Sequence, residues 1–288
     1  VGASVTMGEA MIYALARTIE DGSLVFHGYG SPLVQIAMHV AKRTHAPNMV
    51  LVEGATYAIN PTPLFITPVT NDRALDRGAE SALDIGELFD LAASGRMGRM
   101  FLSGIQIDRF GNANVTLLGN EEKIGVKLPG GGGGCNLSCD VQRLTLWTTG
   151  HRAPPDAKGR RRYRIVERCD FVTSLGHRAV DGRKRSALGH RGGGPQWLVT
   201  DLGVFDFDPA GELRLRELYP DTSLADIEAN TEFVPLVAGD LRTMPLPSPE
   251  IVAMIRTIDP LRVHRRELRE HDLERTFALA SEPAASAR

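Results

Sequence analysis

The first hundred residues alternate short apolar runs with helix-opening signals, and that alternation constrains the fold more than any other feature. Thr6 and Glu9 have the S/T-x-x-E spacing of a capping box and predict a helix from about Met7 to Glu20. "SLVFHG" (23–28) reads as a strand, and Ser31 as N-cap with Pro32 at the first helical position opens "PLVQIAMHVAKR". "MVLVE" (49–53) is the next strand, Asp84 and Glu87 open "DIGELFDLAAS", and "MFLSG" (100–104) follows. Strand, helix, strand, helix at this spacing predicts an α/β fold: a mostly parallel sheet with covering helices.

From residue 105 the second half reads as β-rich. "IQIDRFGNANVTLLG" alternates apolar and polar residues around a Gly-Asn turn, and "RLTLWTTG", "DFVTSLG" and "QWLVTDLGVFDFD" read as strands. The last is followed by the turn "DPAGE" and the strand "LRLREL"; Ser223 and Ser248 open two short helices. The stretch from about 262 to 288 is charged, ends in Ala and Ser, and reads as a frayed tail. There is no internal repeat, so the expectation is a single domain over residues 1–288.

With 288 residues, 42 % of them hydrophobic, the chain can bury a substantial core. A net charge of −2 argues against a nucleic-acid-binding protein. No apolar run approaches the roughly 18 to 20 residues of a membrane span, and the N-terminal stretch lacks the charged start and apolar core of a signal peptide. Three cysteines are too few for a disulfide framework and suit a cytoplasmic location. Cys135 and Cys139 stand in C-x-x-x-C spacing with His151 downstream, but no fourth ligand is evident, so no metal is expected.

Three features can carry chemistry. Glu53 ends an apolar strand with Gly54 behind it, and in open α/β sheets ligands sit beyond the carboxyl ends of the strands. Desolvation there would raise its pKa and favour it as a nucleophile towards an acyl group. The five-glycine run Gly130 to Gly134, followed by Cys135 and Asn136, can bring main-chain N–H groups close to a ligand or an oxyanion. Gly28 and Gly30 flank Tyr29 ahead of a helix N-terminus, a place for an anion, with His27 a possible base beside them. The basic run Arg160 to Arg164 reads as a solvated surface.

Together these residues resemble the B (β) subunit of the family I coenzyme A-transferases, closest in pattern to glutaconate CoA-transferase. "AKRTHAPNMVLVEGATYAINP" is similar to the segment that carries the family's catalytic glutamate, with Pro61 eight residues after Glu53. "SGIQIDRFGNANVT", which contains Gln106, is similar to the family's G-x-Q-x-D-x-x-G-N element. The glycine run and Asn136 fall where such proteins carry an oxyanion loop, and "VTSLG", "GPQWLVTDLGVFDFD" and "IDP" follow in the family's order. Two departures stand out. Gly-Ala follows Glu53 where the glutaconate pattern has Ser-Gly and the ketoacid transferases Asn-Gly, and the loop reads GGGGGCN rather than G-x-G-G-A-N.

The resemblance implies a heteromer with a CoA-transferase A (α) subunit, acting on an acyl-CoA and a carboxylic acid with coenzyme A as cosubstrate and no permanent cofactor. Glu53 would form an acyl–glutamyl anhydride and then a glutamyl–CoA thioester; Gly132, Gly133, Gly134 and Asn136 would stabilise the oxyanion, with Gly28, Gly30 and Gln106 near the substrate. Gly54 would permit the turn that aims Glu53 into the cleft, and Tyr29, Tyr57 and Phe65 would line it. Two other readings keep the fold: a hydrolase opening a ring of a CoA-linked, steroid-type intermediate, and a non-catalytic ligand-binding subunit.

Overall fold

A computed structural model describes residues 4–120 and 122–279. Its main sheet has ten strands, numbered β1 to β10 along the chain. They are β1 (Leu24–His27), β2 (Val50–Val52), β3 (Ala58–Ile59), β4 (Ser81–Ala82) and β5 (Arg99–Ser103). The other five are β6 (Arg143–Thr148), β7 (Pro195–Thr200), β8 (Gly203–Phe207), β9 (Leu213–Leu218) and β10 (Leu236–Thr243). Their order across the sheet is β10-β9-β8-β7-β6-β5-β1-β2-β3-β4. The centre, from β7 to β2, is parallel, and the flanks are built from antiparallel pairs, with β9 and β10 parallel at one edge.

Side chains alternate between the two faces of each central strand, and two helical layers take them up. Val25, Leu51, Phe101 and Trp147 pack with α1 (Met7–Ala16), α2 (Pro32–Arg43) and α6 (Pro249–Ile258). Phe26, Val52, Met100 and Leu144 face the other way, against α3 (Ile85–Ala93) and α4 (Gly134–Asp140). A separate apolar cluster around Phe205, Leu213, Leu215 and Ile227 of α5 (Leu224–Asn230) serves the β-rich half. Among the described residues no helix is long and apolar enough to cross a membrane.

The capping boxes at Thr6/Glu9 and Asp84/Glu87 form as the spacing requires. Elsewhere side-chain contacts, some local and some distant, override the sequence signals. Helix α1 stops at Ala16 rather than reaching Glu20, because the Thr18 hydroxyl donates back to the Leu15 carbonyl. Ser31 makes no side-chain cap; the Glu267 carboxylate instead accepts the Leu33 N–H at 2.7 Å, capping α2 from far along the chain. "QWLVTDLGVFDFD" is a hairpin rather than one strand, because the Thr200 hydroxyl accepts the N–H groups of Leu202 and Gly203 and turns the chain. "DFVTSLG" is not a strand: its Gly176 crosses so close over the Phe110–Asn112 backbone that a Cβ would not fit, and only Ser174 bridges to Ala113.

The segment expected to fray from about residue 262 is ordered as far as residue 279. It forms a 3-10 turn (Val263–Glu267), α7 (Glu270–Leu273) and a strand (Thr276–Ala278) paired antiparallel with Ser4–Thr6. Its charges find partners, Arg275 with Asp221 and His264 with Asp259, while Val263 and Phe277 are buried and Phe277 stacks on Tyr219. Paired charge with a few spaced apolar residues packs; composition alone reads as solvated. Residues 280–288 lie outside the described residues.

Candidate active site

Parallel strands β1 and β2 end side by side, and their next residues meet. Glu53, immediately after β2, is fully buried. Its Oε1 sits 2.9 Å from His27 Nε2 at the end of β1 and accepts from Gln35 Nε2 at 2.9 Å and from the Gly54 N–H at 3.1 Å. Oε2 accepts no hydrogen bond among the described residues and faces His39 Nε2 across 3.9 Å. Gln35 and His39 stand four residues apart on α2, so one helical face delivers both to the carboxylate.

Proton positions follow from the partners. The Gly28 carbonyl can only accept, so His27 Nδ1, at 2.9 Å from it, carries a proton. Nε2 stands 2.9 Å from Oε1 and also accepts the Gly54 N–H at 3.0 Å, a donor it shares with Oε1. Burial pushes the Glu53 carboxyl up; the charge and hydrogen bond of His27, with His39 and Gln35, outweigh it and hold the carboxyl below its ordinary value. This reverses the sequence expectation of a raised pKa, because desolvation arrives together with these polar partners. His39 is drawn down to about 4, first by burial, and is neutral at physiological pH.

Beyond this nest opens a cleft of about 610 Å³, lined by Gly28, Tyr29, Gly54, Ala55, Tyr57 and the run Gly130 to Gly134, with Phe89, Met100 and Leu137 as its apolar floor. Glu53 lies one residue behind the wall made by Gly54 and Ala55 and does not itself line the cleft. Gly54 does not swing the carboxylate into the open; it is glycine because the His27 ring and carbonyl lie 2.6 to 2.8 Å from where a Cβ would stand. Three residues on, Tyr57 holds a left-handed φ of 58°, fixed by its N–H on the Glu53 carbonyl and by the Leu83 N–H on its own. Such strain costs about 1–3 kcal/mol and gathers at functional sites.

The glycine loop bends through positive φ at Gly130 and Gly132, and the N–H groups of Gly131, Gly132 and Gly133 reach no acceptor among the described residues. The structure thus brings Gly28, Gly132, Gly133 and Gly134 to one cleft with Gly54, and places Tyr29 and Tyr57 on its walls. Gly30, Asn136, Gln106 and Phe65 are not among its lining residues. Asn136 is exposed on α4. Gln106 accepts from Asn114 and from the Asp170 N–H, and Asp108 accepts from Asn112, in and beside a small three-stranded sheet.

Sequence reasoning missed Gln35 and His39. The available signal was two polar residues four apart on an otherwise apolar helix face. The cysteine–histidine grouping does not assemble: both His151 ring nitrogens are taken by the Thr200 and Thr231 hydroxyls, and the Cys135 and Cys139 thiols sit on backbone carbonyls. Burial pushes the Cys139 and Cys169 thiols up, away from thiolate chemistry. Asp201, His271 and Asp272 lie close enough to share a cation. The Asp201 oxygens, however, accept the His151 and Arg152 N–H groups, and Asp272 holds Arg275.

Residues 8–149 match the Coenzyme A transferase family. The chain is 29 % identical over 255 residues to the B subunit of the 3-oxoadipate CoA-transferase of Pseudomonas knackmussii, covering 87 % of this chain and 92 % of that one. It is 28 % identical over 280 residues to the B subunit of the glutaconate CoA-transferase of Acidaminococcus fermentans, covering 88 % and 93 %. It superposes on a chain of the decarboxylase AibA/AibB with a TM-score of 0.76 at 29 % identity, covering 92 % of this chain and 99 % of that one. The chain thus has a family I CoA-transferase fold, closely related to the B subunits of the glutaconate and 3-oxoadipate CoA-transferases. A decarboxylase on the same fold shows that the reaction must be argued from the site.

Proposed function

We propose that this chain is the catalytic B subunit of a cytoplasmic, heteromeric CoA-transferase, and that Glu53 is its nucleophile. One observation carries the reading. A buried, ionised carboxylate has one oxygen packed against His27 Nε2, the Gln35 amide and the Gly54 N–H and, among the described residues, the other without a hydrogen bond, a single residue behind a cleft that also presents three N–H groups unclaimed among those residues.

Oε2 attacks the acyl-CoA carbonyl after the side chain turns past Gly54, and the tetrahedral oxyanion rests on the Gly131–Gly133 N–H groups. The C–S bond breaks, CoA leaves as its thiolate, and an acyl–glutamyl anhydride remains. The thiolate then attacks the glutamyl carbonyl, releasing the first acid and leaving a glutamyl–CoA thioester. A second carboxylate takes the CoA by the reverse steps, so no oxidant, reductant or net proton is required. An A subunit closes the cleft and keeps water from the anhydride.

The lining of the cleft adds the substrate class. No Lys, Arg, His, Asp or Glu lines it among the described residues, whereas the named substrates of the two transferase relatives are dicarboxylates. A second carboxylate buried here would find no cationic partner among the described residues, and the free N–H groups serve the oxyanion, so the acyl group seated on this chain is apolar. Incubation of the A–B complex with acyl-CoA and then borohydride should label residue 53, and CoA should pass to an added acid. Absence of label with undiminished turnover overturns the nucleophile.

The His27–Glu53 pair also favours a second reading, in which the dyad activates water and the enzyme is a hydrolase. Thioester loss that needs no acid acceptor would select it.

A further inference from the structure

A second cleft, of about 480 Å³, opens beyond the carboxyl end of β6, and its lining is strongly cationic: Arg152, Arg160, Arg162, Arg164 and Arg269 stand around it with His271. Its only carboxylates are Asp156 and Glu270, and Asp156 is already held by Arg160. The guanidinium groups of the other four arginines make no ion pair within 4.0 Å among the described residues. Three come from one short stretch, Arg160, Arg162 and Arg164, while the intervening Arg161 donates to the Ala153 carbonyl.

The convergence is close. A Cβ on Gly150 would lie 3.0 Å from Arg164 Nε and 3.4 Å from Arg269 Nη2, so both guanidiniums cover the same backbone atom. Arg164 is half-buried, and burial with the Arg269 charge draws its pKa down to about 10. On a chain of net charge −2, five arginines gathered in a concave site against two lining carboxylates leave an excess of positive charge that calls for an anion. Planar forks of this kind match phosphate oxygens two at a time.

The cleft also has an address. Arg164 Nη1 donates to the carbonyl of Ile105, a residue that lines the apolar cleft, so the two sites share a wall. We propose that the arginine cleft is a phosphate-binding site formed by Arg152, Arg162, Arg164 and Arg269. The shared wall makes the phosphates of the CoA nucleotide the occupant, a step that rests on the transferase reading; a free phosphate or pyrophosphate would use the same chemistry.

The test is titration calorimetry on the full chain, and then on its complex with the A subunit, using pyrophosphate, CoA and dephospho-CoA in turn. CoA should bind and be displaced by pyrophosphate. Arg164→Gln and Arg269→Gln should each weaken CoA by about 10-fold or more, the worth of one charge-assisted contact. Arg183→Gln, which removes a surface arginine paired with Asp181 elsewhere, should change binding less than 2-fold, roughly the weight of an exposed ion pair. Binding should fall steeply with salt, and each variant should keep the parent melting temperature. Pyrophosphate binding that CoA cannot displace assigns the cleft to a free phosphate ligand and overturns the CoA occupant. CoA binding indifferent to Arg164 and Arg269 overturns the site, as does a failure of both ligands to bind. Variants that leave CoA binding intact while weakening A–B assembly overturn it in favour of an acidic partner surface. Labelling of residue 53 is read separately, so the two proposals fail independently.

Discussion

Two clusters of buried histidine lie beyond the carboxyl ends of the parallel strands, and they are built on opposite terms. At β6 and β7, His151 is wholly enclosed and fully served: Thr200 and Thr231 hold its two ring nitrogens at 3.0 and 2.9 Å, and its N–H goes to Asp201. At β1 and β2, His27, Gln35 and His39 enclose Glu53 just as tightly, yet Glu53 Oε2, Gln35 Oε1 and His39 Nε2 have no partner. A buried polar atom without a hydrogen bond costs about 1–3 kcal/mol. The first cluster therefore stabilises architecture, while the second carries a cost among the described residues that fits the catalytic role proposed for Glu53.

The sharpest way to break this comparison is to remove Glu53. In the A–B complex Glu53→Ala should lower kcat by at least about 10³-fold, and the melting temperature should fall as well, since His27 and Gln35 lose their shared partner. Unchanged turnover would erase the distinction between the clusters. His27→Gln should cost on the order of 10²-fold in kcat, and steady-state kinetics should show the loss in kcat rather than KM.

The complementary change falls on the other cluster. His151→Leu strands the Thr231 hydroxyl and should lower the free energy of unfolding by about 1–3 kcal/mol in a urea titration. Its kcat per folded molecule should stay at the parent value, and a kinetic defect with intact stability would contradict the architectural assignment.

Acid sharpens the contrast. His39 and His151 both have pKa values drawn down to about 4 by burial, against the usual value near 6.5. The unfolded chain binds more protons between those values, so stability is complete above pH 6.5 and is lost as pH falls towards 4. Each imidazole contributes on the order of 3 kcal/mol to that slope. Chemical denaturation across this range should show the His151→Leu variant with the shallower pH dependence. Glu53, held below its ordinary value, stays ionised over most of the same window, so loss of activity there should track unfolding rather than titration of the nucleophile.

The smallest effect concerns the acyl group. If the apolar cleft binds it, an aliphatic acyl-CoA should exceed a dicarboxylic one in kcat/KM by about 10-fold or more, the scale of one mismatched polar group. Equal rates would move the determinant to the A subunit.

Local chemistry was enough to specify a good deal of this protein. The period-2 and period-3.6 patterns and the capping boxes gave the central parallel strands and their helices, because those preferences act within a few residues. Glu53 and the glycine run were also legible, one as a charge ending an apolar strand and the other as a composition no regular element tolerates. Only the tertiary structure decided that Glu53 turns inward to His27, Gln35 and His39, that Glu267 caps a helix more than two hundred residues away, and that four separate arginines converge. Those outcomes depend on which distant groups share a volume once the sheet has closed, and a linear pattern carries no term for that distance.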